Sequence, residues 1–290
     1  MERLHGTGVA LVTPFNKDLT IDFTALERLL SFTAENGVDY FVVLGTTGES
    51  ATLTTEEKKQ ILRFVKDHNP RNLPIVYGLG GNNTNEIITN LNSTDLKGVD
   101  AILSVSPYYN KPSQSGIVTH YEAIADASSI PVILYNVPGR TGSNISADTT
   151  LKLAQHQNII GIKDATGDIE QAMRIVKHKP EGFMLISGDD ILSVPLYAIG
   201  AVGVISVMAN AFGSTFKEAR EAIKSTDFRS ATLSMLNLLE INPLMYEQSN
   251  PVGIKEVLNY LKVTKHFVRL PLVPASKELS QEIIAKLKDF

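Results

Sequence analysis

The feature that most constrains this chain is the repeated placement of its apolar residues. Eight short runs rich in β-branched residues recur along the first two-thirds: 8–14 (GVALVTP), 40–45 (YFVVLG), 74–80 (PIVYGLG), 101–107 (AILSVSP), 131–137 (PVILYNV), 159–164 (IIGIKD), 183–189 (FMLISGD) and 203–209 (GVISVMA). Each is almost continuously hydrophobic. A strand with one wet face alternates with a period of two, whereas a strand covered on both faces does not. The runs therefore predict a buried parallel sheet. Between them lie longer amphipathic stretches of helical type, among them 22–36, 54–68, 84–97 and 146–156. Asp22, Thr54 with Glu57 three residues on, and Ser146 stand where N-caps belong. Gly37 and Gly98 stand where helices end.

Eight strand candidates, each with room for a helix after it, predict a (β/α)8 barrel. A doubly wound sheet rarely needs so many strands in so short a span. Beyond residue 213 the strand pattern stops. The remaining residues read as helices over 214–224, 227–242, 251–261 and 276–288, with Asn250-Pro251 as a natural helix start. The expected fold is α/β: a TIM barrel over 1–213 and a C-terminal helical extension over 214–290.

Composition removes several classes of function. There is no cysteine, so disulfides, thiolate metal sites and a cysteine nucleophile are excluded. The net charge is −4, and runs such as Glu56-Glu57-Lys58-Lys59 mix signs as a solvated helix face does. Neither nucleic acid nor an anionic membrane is an expected partner. No apolar stretch approaches the ~18 residues that span a bilayer. The first residues lack the long apolar region of a signal peptide. A cytoplasmic protein is the expectation.

In a parallel barrel the chemistry sits at the carboxyl ends of the strands and in the loops after them. Here those positions carry Thr13, Thr46-Thr47-Gly48-Glu49, Gly80-Gly81-Asn82, Tyr108-Tyr109-Asn110, Tyr135-Asn136, Lys163-Asp164, Gly188-Asp189-Asp190 and Ser206. Lys163 is the most informative. It ends a run that should be buried, and burial disfavours an ammonium ion. A neutral amine in an apolar pocket suits Schiff-base chemistry. The alternative is a lysine paired with Asp164 or reaching out to solvent. Tyr135 is either a proton donor and acceptor at the barrel mouth or a wall aromatic with its hydroxyl on backbone. The 45–50 turn (GTTGES) offers hydroxyls and N–H groups to an anion, or is ordinary turn chemistry. It lacks the Gly-Lys-Ser/Thr of a P-loop. Asp189 and Asp190 read as loop and cap residues. None of the six histidines has metal-site or triad spacing.

Taken together, GTTGES (45–50), SPYYNKPSQ (106–114), LYNVPGRTG (134–142), IIGIKDATGD (159–168), SGDD (187–190) and GVISVMAN (203–210) resemble the dihydrodipicolinate synthase family. That family belongs to the pyruvate-dependent class I aldolase superfamily, which includes N-acetylneuraminate lyase. The resemblance covers nearly the whole chain, and it too implies a barrel with a C-terminal helical extension. It implies condensation of pyruvate with L-aspartate 4-semialdehyde to 4-hydroxy-tetrahydrodipicolinate, a step of lysine and diaminopimelate biosynthesis. No cofactor and no metal are implied. Lys163 would form the imine, with Tyr135, Thr46 and Tyr109 as a proton relay. In the family the last tyrosine comes from a neighbouring subunit, which implies at least a dimer and commonly a homotetramer, a dimer of dimers. Thr47 would hold the pyruvate carboxylate, Ile205 and Gly188 would line the substrate site, and Arg140 would take the carboxylate of the semialdehyde. Ala51, Lys58, Asn82, Glu86 and Tyr108 match a feedback site for lysine. Lys58 falls where regulated members often carry histidine, so weak or absent inhibition by lysine is expected. Arg140 favours the synthase over a pyruvate-releasing sugar-acid aldolase, the competing reading. A barrel that has lost catalysis is disfavoured, because the lysine, both tyrosines and both threonines are present.

Overall fold

A computed structural model describes residues 2–288 and Phe290. Eight parallel strands close into a barrel in the order β1 to β8. They are β1 (Gly6–Ala10), β2 (Tyr40–Val43), β3 (Ile75–Gly78), β4 (Ala101–Val105), β5 (Val132–Asn136), β6 (Ile159–Asp164), β7 (Met184–Ser187) and β8 (Gly203–Ser206). The helices are α1 (Phe23–Glu35), α2 (Thr55–Asp67), α3 (Thr84–Ser93), α4 (Gln114–Ala127), α5 (Pro138–Thr141), α6 (Ala147–Leu153), α7 (Ile169–His178), α8 (Ser193–Ala198), α9 (Ala209–Lys224), α10 (Phe228–Leu236), α11 (Val252–Tyr260) and α12 (Lys277–Leu287). Every residue of β1, β2, β5, β6, β7 and β8 is buried, which is why these strands read as unbroken hydrophobic runs. No described helix is long and apolar enough to cross a membrane.

The chain divides into two compact units. One comprises residues 6–73 and 206–290, the other 1–5 and 74–205. In the first, α1 begins where Asp22 Oδ1 accepts from Ala25 N at 2.9 Å. It buries Leu26, Leu29, Leu30 and Thr33 at helical spacing. Each fully buried leucine contributes roughly 1.5–3 kcal/mol. Gly37, at φ +90, lets the chain leave the helix. Thr54 and Glu57 form a reciprocal capping box at the start of α2. Asn210 on α9 braces β1: its Nδ2 donates to Ala10 O at 2.7 Å and its Oδ1 accepts from Val12 N at 3.2 Å.

Several element bounds differ from the sequence pattern. The helix expected over 84–97 stops at Ser93, because Thr94 Oγ1 bonds Asn90 O at 2.6 Å and Thr94 turns to extended backbone. Gly98, at φ +81, sits in the turn beyond rather than at the helix end. The helix expected over 227–242 ends at Leu236 and passes into turns and a 3-10 turn at Pro243–Met245. Leu238 and Ile241 continue the apolar spacing and are buried without being helical. The helix expected from 214 starts earlier, at Ala209, and is kinked at Phe212. It takes over Ala209, assigned by pattern to the last strand.

Candidate active site

Within the unit of residues 74–205, pairing between β5 and β6 decides the site. The register begins at Val132↔Ile159, shifts by one residue between Val132 and Ile133, and continues as Leu134↔Ile162, Tyr135↔Lys163 and Asn136↔Asp164. Without that shift Tyr135 would stand opposite Ile162, and Lys163 would project from the other face. With it, lysine and tyrosine share a face. Lys163 Nζ lies 4.2 Å from the centroid of the Tyr135 ring. Both residues are buried, at 6% and 7% exposure.

The opposite face carries the next pair. Asn136 Nδ2 donates to Asp164 Oδ1 at 3.3 Å, and Thr166 Oγ1 donates to Asp164 Oδ2 at 3.0 Å. Strand alternation thus gives Asp164 other partners than Lys163, against the reading that paired the two. Burial pushes the Asp164 carboxyl up to about 6, although both donors favour its ionised form.

Asn136 also organises the loop that bears Arg140. Its Nδ2 reaches Asn144 Oδ1 at 2.7 Å and Ile145 O at 3.2 Å, and its Oδ1 accepts from Ile145 N at 3.0 Å. Asn144 Nδ2 in turn donates to Gln171 Oε1 at 2.8 Å. Arg140 is exposed on the one-turn helix α5, which Gly142 closes at φ +73. Ile205 is buried in β8. Gly188 N donates to Asp164 O at 2.7 Å, and a Cβ at Gly188 would meet Ala165 Cβ at 2.6 Å. Only glycine allows that approach. Asp189 Oδ1 accepts from Leu192 N at 3.0 Å, as a loop cap. Tyr109 is 89% exposed at φ +74, beside the half-exposed Tyr108. Asn82 Nδ2 donates to Tyr108 O at 3.2 Å, and Glu86 is exposed on α3.

Thr46 and Thr47 belong to the other unit, in the 3-10 turn Thr46–Gly48 after β2. Thr47 is buried, and its Oγ1 accepts from Asn250 Nδ2 at 3.0 Å. Thr13 Oγ1 donates to Gly48 O at 2.7 Å. Ala51 is exposed and Lys58 half-exposed on α2. Motif reading did not single out Asn136, Asn144, Gln171 or Asn250 for these contacts. Their signal is faint: short polar residues within motifs or before a proline.

A parallel barrel with a buried amine at the end of its sixth strand, beside a buried tyrosine ring, fits a class I aldolase-type lyase. Residues 3–290 match the model of the Dihydrodipicolinate synthetase family. The 4-hydroxy-tetrahydrodipicolinate synthase of Cytophaga hutchinsonii is 50% identical over 283 residues, covering 98% of this chain and 95% of the relative. The crystal structure of a dihydrodipicolinate synthase from Bacillus anthracis superposes with a TM-score of 0.95 at 36% identity, covering 99% and 98% of the two chains. A chloride-inhibited dihydrodipicolinate synthase from Acinetobacter baumannii, solved with pyruvate, superposes with a TM-score of 0.95 at 37% identity, covering 99% and 98%. The chain belongs to the dihydrodipicolinate synthase family.

Proposed function

We propose that this chain condenses pyruvate with L-aspartate 4-semialdehyde through a Schiff base on Lys163. The activity is that of a 4-hydroxy-tetrahydrodipicolinate synthase, a class I aldolase-type lyase of lysine and diaminopimelate biosynthesis. The observation that carries the reading is the buried Lys163 amine against the Tyr135 ring. A buried lysine amine at the end of a barrel strand is placed to attack a carbonyl carbon.

The steps follow from the chemistry. Lys163 Nζ adds to the ketone of pyruvate. Tyr135 carries a proton from that nitrogen to the new hydroxyl, which leaves as water and yields the imine. Loss of a methyl proton gives an enamine, whose carbon attacks the aldehyde. The amino group of the semialdehyde then closes on the imine carbon and releases the lysine. The family resemblance assigns Thr46 to the proton relay with Tyr135 and Tyr109, and Thr47 to the pyruvate carboxylate. Ile205 and Gly188 line the substrate site. The exposure of Tyr109 supports a role given to another subunit, within a homotetramer built as a dimer of dimers.

The decisive experiment is borohydride reduction in the presence of pyruvate, followed by peptide mass analysis. A reduced adduct on Lys163 is expected, and its absence removes the reading. Supplying aspartate semialdehyde or N-acetylneuraminate then separates the synthase from a sugar-acid aldolase. Arg140 is assigned to the carboxylate of the semialdehyde, because a guanidinium binds carboxylate bidentately. Arg140→Ala should raise the semialdehyde KM by about 10-fold or more and leave the pyruvate KM nearly unchanged. Equal shifts in both would count against that assignment.

By the family resemblance, Ala51, Lys58, Asn82, Glu86 and Tyr108 match positions of a lysine feedback site, and weak or absent inhibition is the expected outcome. A Lys58 ammonium close to the ligand would repel its like charge. Initial rates should persist at sub-millimolar lysine. Strong inhibition there would sink the assignment.

A further inference from the structure

Glu49 ends the Thr46–Thr47 turn in an unusual way. It is a non-glycine residue at φ +53, ψ +34, in the left-handed region. That conformation is uncommon and strained for a residue with a Cβ. Glycine would fit there without strain, so the side chain has a reason to be present. Glu49 is 5% exposed, and both carboxylate oxygens are used. Oε1 accepts from Lys255 Nζ, and Oε2 accepts from Arg269 N at 2.9 Å.

Both partners come from the C-terminal extension: Lys255 from α11 and Arg269 from the segment between α11 and α12. Lys255 is fully buried on α11; it also donates to Phe267 O at 2.8 Å and lies 4.3 Å from the Phe15 ring centroid. Burial pulls this lysine down to about 8, against the attraction of Glu49. The Arg269 guanidinium lies 4.6 Å from the same ring. It donates to Thr52 O at 3.0 Å, to Leu19 O at 2.8 Å and to both oxygens of Glu57. That guanidinium holds the Glu57 carboxyl down at about 2, so it stays ionised at any working pH. Three cationic or N–H donors and two carboxylates thus fasten residues 49–57 to 255–269. Lys255 is the kind of residue almost never fully buried unless paired. A buried pair is a poor source of stability compared with apolar residues of like volume. Its value here lies in fixing geometry.

We propose that Glu49 is a positioning residue for pyruvate, clamped by Lys255 and Arg269 so that the backbone presenting Thr46 and Thr47 is held in one conformation. This rests on the reading of Thr47 as the group that holds the pyruvate carboxylate. The C-terminal extension is thereby part of the substrate-binding machinery. Binding rates and affinities are sensitive to small misplacements of such a turn.

The test uses Glu49→Gln and the charge-balanced double variant Glu49→Gln/Lys255→Met. Glutamine keeps the shape but offers a single acceptor, so one of the two donors faces an N–H group. Three quantities are measured: the melting temperature, the pyruvate concentration giving half-maximal borohydride trapping on Lys163, and the KM for aspartate semialdehyde. Half-saturating pyruvate should rise about 10-fold in both variants. The semialdehyde KM should stay within about twofold, and the double variant, free of an unpaired charge, should melt near the wild type. If half-saturating pyruvate stays within about twofold of wild type in either folded variant, the proposal is overturned. It is also overturned if both substrate constants and the melting temperature move together, the sign of a merely structural role. Should the double variant not fold, Glu49→Gln alone carries the comparison. A wild-type chain that gives no adduct with pyruvate indicts the Schiff-base reading itself, not the clamp.

Discussion

Lys163→Ala is expected to lose at least ~10³-fold in kcat and all borohydride-dependent labelling by pyruvate. The reason is chemical. In the proposed mechanism the amine is the covalent partner of the substrate, and no neighbouring group in the strand can replace it. Asp164, next along β6, points to the other face and is held by Asn136 and Thr166. Alanine leaves a void beside the Tyr135 ring, so Lys163→Arg provides a control that fills it with a group unable to form an imine. Both variants should be inactive with pyruvate and semialdehyde together. Activity within tenfold of wild type in either would show that the bond to pyruvate is not made at this nitrogen.

The second large effect concerns Tyr135. Tyr135→Phe keeps the ring that packs at 4.2 Å from Lys163 Nζ and removes only the hydroxyl. Proton transfer by a positioned side chain contributes roughly 10²–10⁴-fold, so kcat should fall by at least ~10². The melting temperature should hardly move, because the buried apolar surface is unchanged. The rate of imine formation, followed by stopped borohydride trapping, should fall with kcat. A variant within about threefold of wild type on that rate would take Tyr135 out of the proton path.

The barrel was legible because its strands are covered on both faces. Eight runs such as PVILYNV and IIGIKD announce themselves without any alternation to interpret. Their ends were less clear. Val12 remains buried beyond β1, and Val207 beyond β8, so hydrophobicity outlasts the strands themselves. Helix ends failed where apolar spacing continued through turns, as at Leu238 and Ile241. Lys163 and Tyr135 were each visible as polar residues closing apolar strands. Their juxtaposition was not, because it depends on a one-residue shift in register at Val132. A single strand carries no record of how it pairs with its neighbour. The Asn136–Asn144–Gln171 network was hidden for a similar reason: its members acquire meaning only from the fold. Glu49 stood in plain view inside GTTGES, but its cations lie far along the chain.

That distance has a consequence for the order of assembly. Lys255 and Arg269 follow Glu49 by 206 and 220 residues. The chain is made from its amino end, so the carboxylate waits through most of synthesis without them. Burying it unpaired would cost several kcal/mol. The turn therefore stays hydrated, and its left-handed residue unlocked, while the strands on either side of it take shape. Closing a loop of this length adds little free-energy cost beyond that of a shorter one, but such remote contacts form late and slowly. If this turn holds pyruvate as proposed, competence to do so is acquired only late in biogenesis, once Lys255 and Arg269 have docked.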